Sequence, residues 1–258
     1  MKCKQILVSM VLLIVLIPLL STNMKAGVKE KHLEKGKKIF EKVIAALGGA
    51  EKIKDIKNVS TKGVSAQLSI LKPGEKIKMD SETVMEYPDK LRYTIKGTRG
   101  LVTIIINGDE GWMVIPPKPM EPMSKQDINS ELAFIQRDPF HIYRNLHQYN
   151  IQWIGEKNVA GTMAIDLFLT GPTEFHLFIH PKTYLPVGLS YGGTVPNRPE
   201  PLERVEIHSD YKEVDGIKVA FKIILNEAGK KVMEFTLKEI KFNIKLEKHF
   251  FKVKETGE

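Results

Sequence analysis

The stretch VEIHSDYKEVDGIKVAFKIIL, residues 205–225, decides the fold because apolar residues alternate with polar ones along both of its arms. Asp215-Gly216 lies between the arms and supplies residues that tolerate the positive φ of a tight turn. The stretch therefore predicts a long antiparallel β-hairpin. Its alternating apolar residues are Val205, Ile207 and Tyr211 in the first arm and Ile217, Val219, Phe221, Ile223 and Leu225 in the second.

The length of the turn sets which residues of the two arms face each other. A two-residue loop would place Val219 opposite Lys212 and Ile223 opposite His208, which mixes apolar and polar side chains on one face. A three-residue loop, residues 214–216, gives one apolar and one polar face. The sequence therefore predicts a type I turn with Gly216 in the left-handed conformation, followed by a β-bulge. The predicted pairs are Tyr211 with Val219, Ser209 with Phe221, Ile207 with Ile223 and Val205 with Leu225.

The rest of the chain shows the periodicity of one amphipathic helix followed by many strands. The helix covers residues 29–47, and Gly48-Gly49 ends it. The fold class is therefore α+β and mainly antiparallel β, and the number of strand segments favours one large antiparallel sheet or a partial barrel. The strand segments are residues 59–71, 76–87, 91–96, 101–106, 112–115, 151–156, 163–170, 174–180, 185–191, 205–213, 217–226 and 231–242.

Two helices interrupt the strands in the middle of the chain. The proline-rich residues 116–119 halt the sheet. Ser124, followed three residues later by Asp127, is typical of a helix start, and Asp138-Pro139 is typical of a second. The sequence therefore predicts helices over residues 125–137 and 139–147.

The first residues are typical of a secretory signal peptide. Lys2 and Lys4 precede an apolar run over residues 6–20. We predict that residues 1–26 form this signal, with cleavage after Ser21 or Ala26, and that residues 27–258 form a single domain; an uncleaved anchor is the alternative. Cys3, the single cysteine, precedes the apolar run, so the mature chain would carry neither disulfides nor thiolate metal sites.

The charge of the chain is basic. The formal net charge is +8, and the loss of three lysines with the signal would lower it to about +5. An exported basic protein suits weak attraction to anionic lipid surfaces, and no nucleic-acid partner is expected. The alternative is that scattered lysines only solvate the surface.

The sequence carries no recognisable catalytic, cofactor or metal motif. His176 and His180 form the one suggestive pair, but four residues of strand span roughly 13 Å. We therefore predict a protein that is not an enzyme and has no cofactor and no metal site. Burying a 16-carbon acyl chain could contribute roughly 12 kcal/mol and needs only an apolar wall. The absence of a motif thus suits a lipid-binding protein, and equally an inert structural domain.

Four motifs resemble the bacterial outer-membrane lipoprotein-sorting, or LolA-like, superfamily over nearly all of the mature chain. They are LGGAEKI at residues 47–53, NGDEGW at residues 107–112, FIHPKTYLPV at residues 178–187 and SDYKEVDGI at residues 209–217. The resemblance implies an incomplete β-barrel, or half-barrel, of about eleven strands around an apolar cavity, with covering helices over its mouth. It further implies a periplasmic or outer-membrane-peripheral location in a Gram-negative-type bacterium.

The resemblance also implies a function. Such proteins carry the acyl chains of lipids or lipoproteins to a membrane, with transient membrane or membrane-protein contact, and some act instead as envelope-stress or lipid sensors. We expect a monomeric carrier, with the sensor as the alternative and an envelope hydrolase far behind.

Two sets of side chains are candidates for the lipid site, and ordinary core packing is the alternative for each. The predicted cavity wall is Trp112, Ile165, Leu167, Phe175, Leu177, Ile207, Phe221 and Ile223. The predicted movable lid, on the two inserted helices, is Phe134, Phe140 and Tyr143.

Overall fold

The computed structural model describes residues 29–68, 76–98, 100–193 and 202–252. The predicted signal peptide, residues 1–26, lies outside the described residues. Among the helices that the structure does describe, none combines the length and the apolar character needed to span a membrane.

Thirteen antiparallel strands form one sheet, in the order β6-β5-β4-β3-β2-β1-β13-β12-β11-β10-β9-β8-β7. The first six strands are β1 Asn58–Leu68, β2 Lys76–Glu86, β3 Lys90–Gly97, β4 Gly100–Asn107, β5 Glu110–Val114 and β6 Glu121–Pro122. The other seven are β7 Asn150–Val159, β8 Thr162–Thr170, β9 Phe175–Ile179, β10 Pro186–Gly193, β11 Leu202–Val214, β12 Ile217–Glu227 and β13 Lys230–Phe242.

The sheet consists of two meanders joined where β1 pairs with β13. In the described part of the chain β6 and β7 form its two edges and do not pair with each other, so the sheet stays open. The predicted α+β half-barrel is confirmed. The chain passes from one edge to the other through the inserted helices, which places them across the opening.

The helices begin where the sequence predicts. Ser124 Oγ accepts a hydrogen bond from the backbone N–H of Asp127 at 3.2 Å, and Asp138 Oδ1 accepts one from the N–H of Phe140 at 2.9 Å. The last inserted helix ends earlier than predicted and gives way to a short 3-10 turn. The helices are α1 over residues 29–47, α2 Ala50–Asp55, α3 Lys125–Gln136 and α4 Pro139–Arg144, and the 3-10 turn is Leu146–Gln148.

The predicted register of the β11–β12 hairpin is wrong. Val214 pairs with Ile217, so the loop is the two residues Asp215 and Gly216, with φ values of 53° and 76°. Two consecutive left-handed residues form a type I′ turn, whose twist matches that of the strands it joins. His208 therefore pairs with Ile223, and no bulge follows the turn. The polar-against-apolar pairing is tolerated because this face of the hairpin borders a cavity instead of closed core.

The main core lies between α1 and the sheet. Phe40, Val43 and Ile44 of α1 are buried against strand residues that include Ile151 of β7. Gly36 permits this close approach, because a Cβ at this position would lie 2.2 Å from the carbonyl oxygen of Ile151. Helix α1 thus fills one part of the half-barrel and leaves another part open.

Candidate functional site

A cavity of about 1180 Å³ lies between the sheet and α3. It exceeds the roughly 300–1,000 Å³ of ordinary small-molecule pockets. The strands that border it are β1 to β3 and β10 to β13, on both sides of the β1–β13 seam. The cavity is therefore the unfilled part of the half-barrel.

The floor of this cavity is largely apolar. Most of its central side chains come from β12 and β13, where Ile223 pairs directly with Phe235. Apolar side chains from β3 and β2 on one side of β1, and from β13 and β12 on the other, give a floor suited to a flexible hydrocarbon chain. The apolar floor residues are Met85 of β2, Leu91 of β3, Val219, Ile223 and Leu225 of β12, and Met233, Phe235 and Leu237 of β13.

Helix α3 forms the roof. Ile128 and Ile135 are buried and anchor the helix, whereas Phe134 lines the cavity and is 49% exposed. Gly111 of β5 allows the anchoring contact, since a Cβ there would lie 2.7 Å from Cγ1 of Ile128. An aromatic ring that is half-exposed beside an apolar floor is available for contact with a ligand.

One end of the cavity, beside β10 and β11, is polar. The guanidinium carbon of Arg137 lies 3.8 Å from the ring centroid of Tyr191. The Tyr191 hydroxyl donates to Oε1 of Glu206 at 3.0 Å, and Nε2 of His208 lies 3.3 Å from Oε2 of Glu206. Burial alone would raise the pKa of Glu206, but the hydrogen bond and charge of His208, with Arg137 and Tyr191, hold that pKa below its ordinary value. Glu206 is therefore ionised.

The side of the cavity that faces β3 carries the carboxyl group of Glu131, from the middle of α3. Burial, reinforced by the nearby Asp127, raises the pKa of Glu131. Burial and the proximity of Glu131 raise the pKa of Tyr93 to about 12. The cavity thus has the guanidinium of Arg137 on the side of β10 and the carboxyl of Glu131 on the side of β3.

The structure divides the predicted wall residues between the cavity and the core. Ile223 lines the cavity. Ile207 pairs with Ile224, and it therefore lies on the face of the hairpin opposite to Ile223, which corrects the predicted shared wall. The others do not border the cavity: Leu167, Phe175 and Leu177 are fully buried in the core, Ile165 and Phe221 pack against the core, and Trp112 is half-buried on β5.

The predicted lid residues are divided in the same way. Phe134 lies over the cavity, as described above. Phe140 is buried in the main core and Tyr143 packs against that core. Only the α3 part of the predicted lid therefore borders the cavity.

Sequence reasoning missed the polar end of the cavity. Arg204 and Glu206, which line it, occupy alternate positions of β11, and His208 continues the series. This alternation of polar residues along β11 is the sequence pattern from which the polar end of the cavity could have been predicted. The two-residue turn places these positions on the same face as Ile223, whereas the predicted three-residue turn placed them on the outside.

A hydrogen-bond network fixes α4 below the roof. Nδ1 of His141 lies 3.1 Å from the Tyr149 hydroxyl, and that hydroxyl donates to the Gln136 carbonyl at 2.8 Å. Because the hydroxyl hydrogen goes to Gln136, Nδ1 of His141 must be the donor in its own bond. Nearby, the Tyr87 hydroxyl donates to buried Asp138. The bonds through Tyr149 attach α4 to the last turn of α3, and the Tyr87 bond attaches the residue before α4 to the turn between β2 and β3.

The two histidines considered for a metal site have separate partners. His176 Nδ1 lies 2.8 Å from Oδ1 of Asp166. His180 Nδ1 accepts hydrogen bonds from the backbone N–H groups of Lys182 and Thr183, each at 3.2 Å, and so stabilises a turn. Within the described ranges, no group of three or more His, Cys, Asp or Glu side chains is placed to hold a metal ion.

Comparison with known proteins identifies the fold. No protein-family model matches the sequence, and neither does any curated protein. Solved structures do match. A domain from Vibrio parahaemolyticus described as an outer membrane lipoprotein-sorting protein shares 13% identity, with 85% of this chain and 97% of that chain covered and a TM-score of 0.55.

Two further structures agree with the first. A DUF1329 family protein from Desulfovibrio piger shares 12% identity, with 84% and 97% of the two chains covered and a TM-score of 0.54. A LolA superfamily protein from Nitrosomonas europaea shares 15% identity, with coverage of 83% and 96% and a TM-score of 0.52. The chain therefore has the LolA-like fold over most of its length.

Proposed function

We propose that this protein is a non-enzymatic carrier that holds the acyl chains of a lipid or lipoprotein in its cavity and delivers them to a membrane. The observation that supports this most is the cavity of about 1180 Å³, with its apolar floor and the half-exposed Phe134 in its roof. The LolA-like fold of the chain supports the same proposal.

The physical basis is transfer of hydrocarbon from water to an apolar surface. Each buried CH₂ contributes about 0.8 kcal/mol, so a single long chain supplies enough free energy to offset the loss of its freedom on binding. The half-exposed Phe134 of α3 lies where the cavity meets solvent, and this opening offers a route by which a chain enters.

The proposal includes a location. We place the mature protein in the periplasm or at the outer-membrane periphery, after removal of residues 1–26, where contact with a membrane or membrane protein is transient. Its substrate is bound and released without chemical change.

The test uses two adjacent isoleucines as a matched pair. Ile223 lines the cavity, whereas Ile224 lies on the other face of β12, opposite Ile207 and Glu234. Native mass spectrometry of protein purified from its own cell envelope should show bound lipid in the wild type and in Ile224→Glu. In Ile223→Glu the bound lipid should be lost, because a carboxylate would be placed in the apolar floor.

Two results would count against the carrier. Retention of lipid by a folded Ile223→Glu variant would show that the cavity is not the binding site. An empty wild-type protein that copurifies with a membrane protein would favour the alternative, a sensor or interaction subunit.

A further inference from the structure

We infer that the lipid held in this cavity bears an anionic group next to its acyl chains, and that Arg137 binds that group. The inference rests on the proposed lipid-binding function and adds the charge and the orientation of the ligand. The evidence comes from the surroundings of Arg137 at the polar end of the cavity.

Arg137 lines the cavity without a paired carboxylate. Among the described residues, no carboxylate oxygen lies within 4.0 Å of its guanidinium. Glu206 is the carboxylate whose charge acts on Arg137, and its two oxygens are engaged by Tyr191 and His208. Arg204, which also lines the cavity, is already paired with Glu227 at 2.9 Å. Arg137 and Glu206 thus attract each other without direct contact, and the guanidinium can still bind an anionic partner that the cavity admits.

The contact with Tyr191 uses only part of the hydrogen-bonding capacity of Arg137, because the guanidinium has five N–H donors and meets a single hydroxyl there. The ring lies against the guanidinium at 3.8 Å, and stacking of this kind uses the flat face of the group. The N–H donors lie in the plane, at its edge. In the described part of the chain no fully buried side-chain nitrogen or oxygen lacks a hydrogen-bond partner. Donors of Arg137 that bind no protein atom are therefore accessible, and Arg137 lines the cavity.

The position of Arg137 has a simpler explanation, which is that a cation stabilises the C-terminal end of α3. Arg137 is the residue that ends this helix, and such a cation is favourable there. That role requires only an exposed charge. It does not require a guanidinium turned over the ring of Tyr191 at the border of the cavity, where burial lowers the pKa of Arg137. A fixed planar donor at a partly buried site suits a carboxylate or phosphate.

The charge arrangement also sets the direction of the ligand. Glu131 lies about 9 Å from Arg137 along the axis of α3, on the side of the cavity that faces Tyr93. A headgroup with a negative charge is attracted to Arg137, whereas the carboxyl of Glu131 offers it no positive charge. From Arg137, the acyl chains would extend over the floor formed by Leu225, Ile223 and Phe235.

The experiment compares three probes that separate the headgroup from the chain. These are 1-palmitoyl-lysophosphatidylglycerol, the neutral 1-palmitoylglycerol with the same chain, and inorganic phosphate, which has no chain. Calorimetric titration below the micelle concentrations should show that the wild type binds the phosphate-bearing lipid roughly 10- to 100-fold more tightly than the neutral lipid. Inorganic phosphate alone should not bind measurably.

Variants locate the effect. Arg137→Gln should reduce the affinity for the phosphate-bearing lipid by the same factor and leave the affinity for 1-palmitoylglycerol unchanged. Arg137→Lys should retain part of the preference, because it keeps the charge but loses the planar fork. Lys182→Gln removes an equal charge from an exposed turn outside the cavity and should change neither affinity.

Each other outcome overturns a distinct claim. Equal affinities for the two lipids, or no effect of Arg137→Gln, would overturn the role of Arg137 and leave the lipid-binding proposal standing. Binding of inorganic phosphate as tight as that of the lipid would show an anion site unrelated to acyl chains. A folded wild-type protein that binds neither lipid would overturn the proposed function itself.

Discussion

A single buried histidine shows how residue chemistry holds the helical roof in place. His141 of α4 is 4% exposed, and its ring donates to the Tyr149 hydroxyl, which donates in turn to the last carbonyl of α3. Burial, aided by the nearby Arg144, lowers the pKa of His141 from 6.5 to about 4, although Asp89 opposes the shift. In the folded protein at neutral pH, the His141 ring is therefore uncharged.

This pKa predicts a loss of stability in mild acid. In the unfolded chain His141 binds a proton near its ordinary pKa of 6.5, whereas in the folded protein it does so only near pH 4. Its contribution is complete above pH 6.5 and is lost as the pH falls from 6.5 to 4, by up to about 3 kcal/mol. Urea unfolding of the wild type at several pH values measures this loss.

The control is His141→Gln, which keeps hydrogen-bonding groups but does not titrate. The difference between the two unfolding free energies should shrink over that pH window, since all other ionisable groups are common to both proteins. A difference that stays constant from pH 7 to pH 4 would contradict the prediction.

The close contact at Gly36 of α1 leads to a second prediction at the residue scale. Glycine in the middle of α1 costs about 1 kcal/mol of helix propensity relative to alanine, yet here a methyl group would collide with the Ile151 carbonyl oxygen. We expect Gly36→Ala to lower the free energy of unfolding by about 1–3 kcal/mol, because α1 must move away from β7. Lys37→Ala, at the exposed neighbouring position, should change it by no more than about 0.5 kcal/mol. A stabilised Gly36→Ala protein would show that the contact is not tight.

At the scale of elements, hydrophobic periodicity and capping residues were sufficient to predict where the helices lie in the chain, but not the register of β11 on β12. The predicted helix over residues 29–47 and the starts at Lys125 and Pro139 match the structure. These features are local, because each depends on residues within a few positions of one another. The register of β11 on β12 depends on whether the face that the two strands share borders closed core or a cavity. The sequences of the two arms alone do not reveal this.

The observed register can be tested with cysteine pairs in a Cys3→Ser background. His208 and Ile223 are direct partners, and directly opposed residues have Cα atoms about 4.5–5.5 Å apart, within reach of a disulfide. His208→Cys with Ile223→Cys should therefore oxidise readily, as measured by loss of free thiols and of two mass units. Ile207→Cys with Ile223→Cys places the thiols on opposite faces and should remain reduced. The reverse result would restore the three-residue turn.

At the scale of the whole molecule, the cavity depends on parts that are distant in sequence. Its floor joins β1 to β3 with β10 to β13 across the β1–β13 seam, and its roof comes from the segment between the two meanders. The sequence pattern of an apolar strand face is the same whether that face packs against α1 or borders a cavity. This is why Leu167 and Leu177 were as plausible for the wall as Ile223, and why Arg137 and Tyr191 were not foreseen together.

A cavity that binds lipid predicts ligand-dependent thermal stability. At a free concentration one hundred times the Kd, 1-palmitoyl-lysophosphatidylglycerol should add about 2.7 kcal/mol to the free energy of unfolding, which corresponds to a rise in Tm of roughly 5–10 °C. The rise should be absent in Ile223→Glu and present in Ile224→Glu. An unchanged Tm of the wild type at saturating lipid would contradict the prediction.

An open sheet also has two borders at which a neighbouring molecule could add a strand. The border at β6 is only two residues long and contains Pro122, which has no N–H to donate. The border at β7 is irregular between Trp153 and Gly155 and is followed by the charged Glu156 and Lys157. Short length, proline, irregular pairing and charge all oppose strand addition. The molecule can therefore keep its barrel unclosed for a ligand without offering its backbone as a template for aggregation.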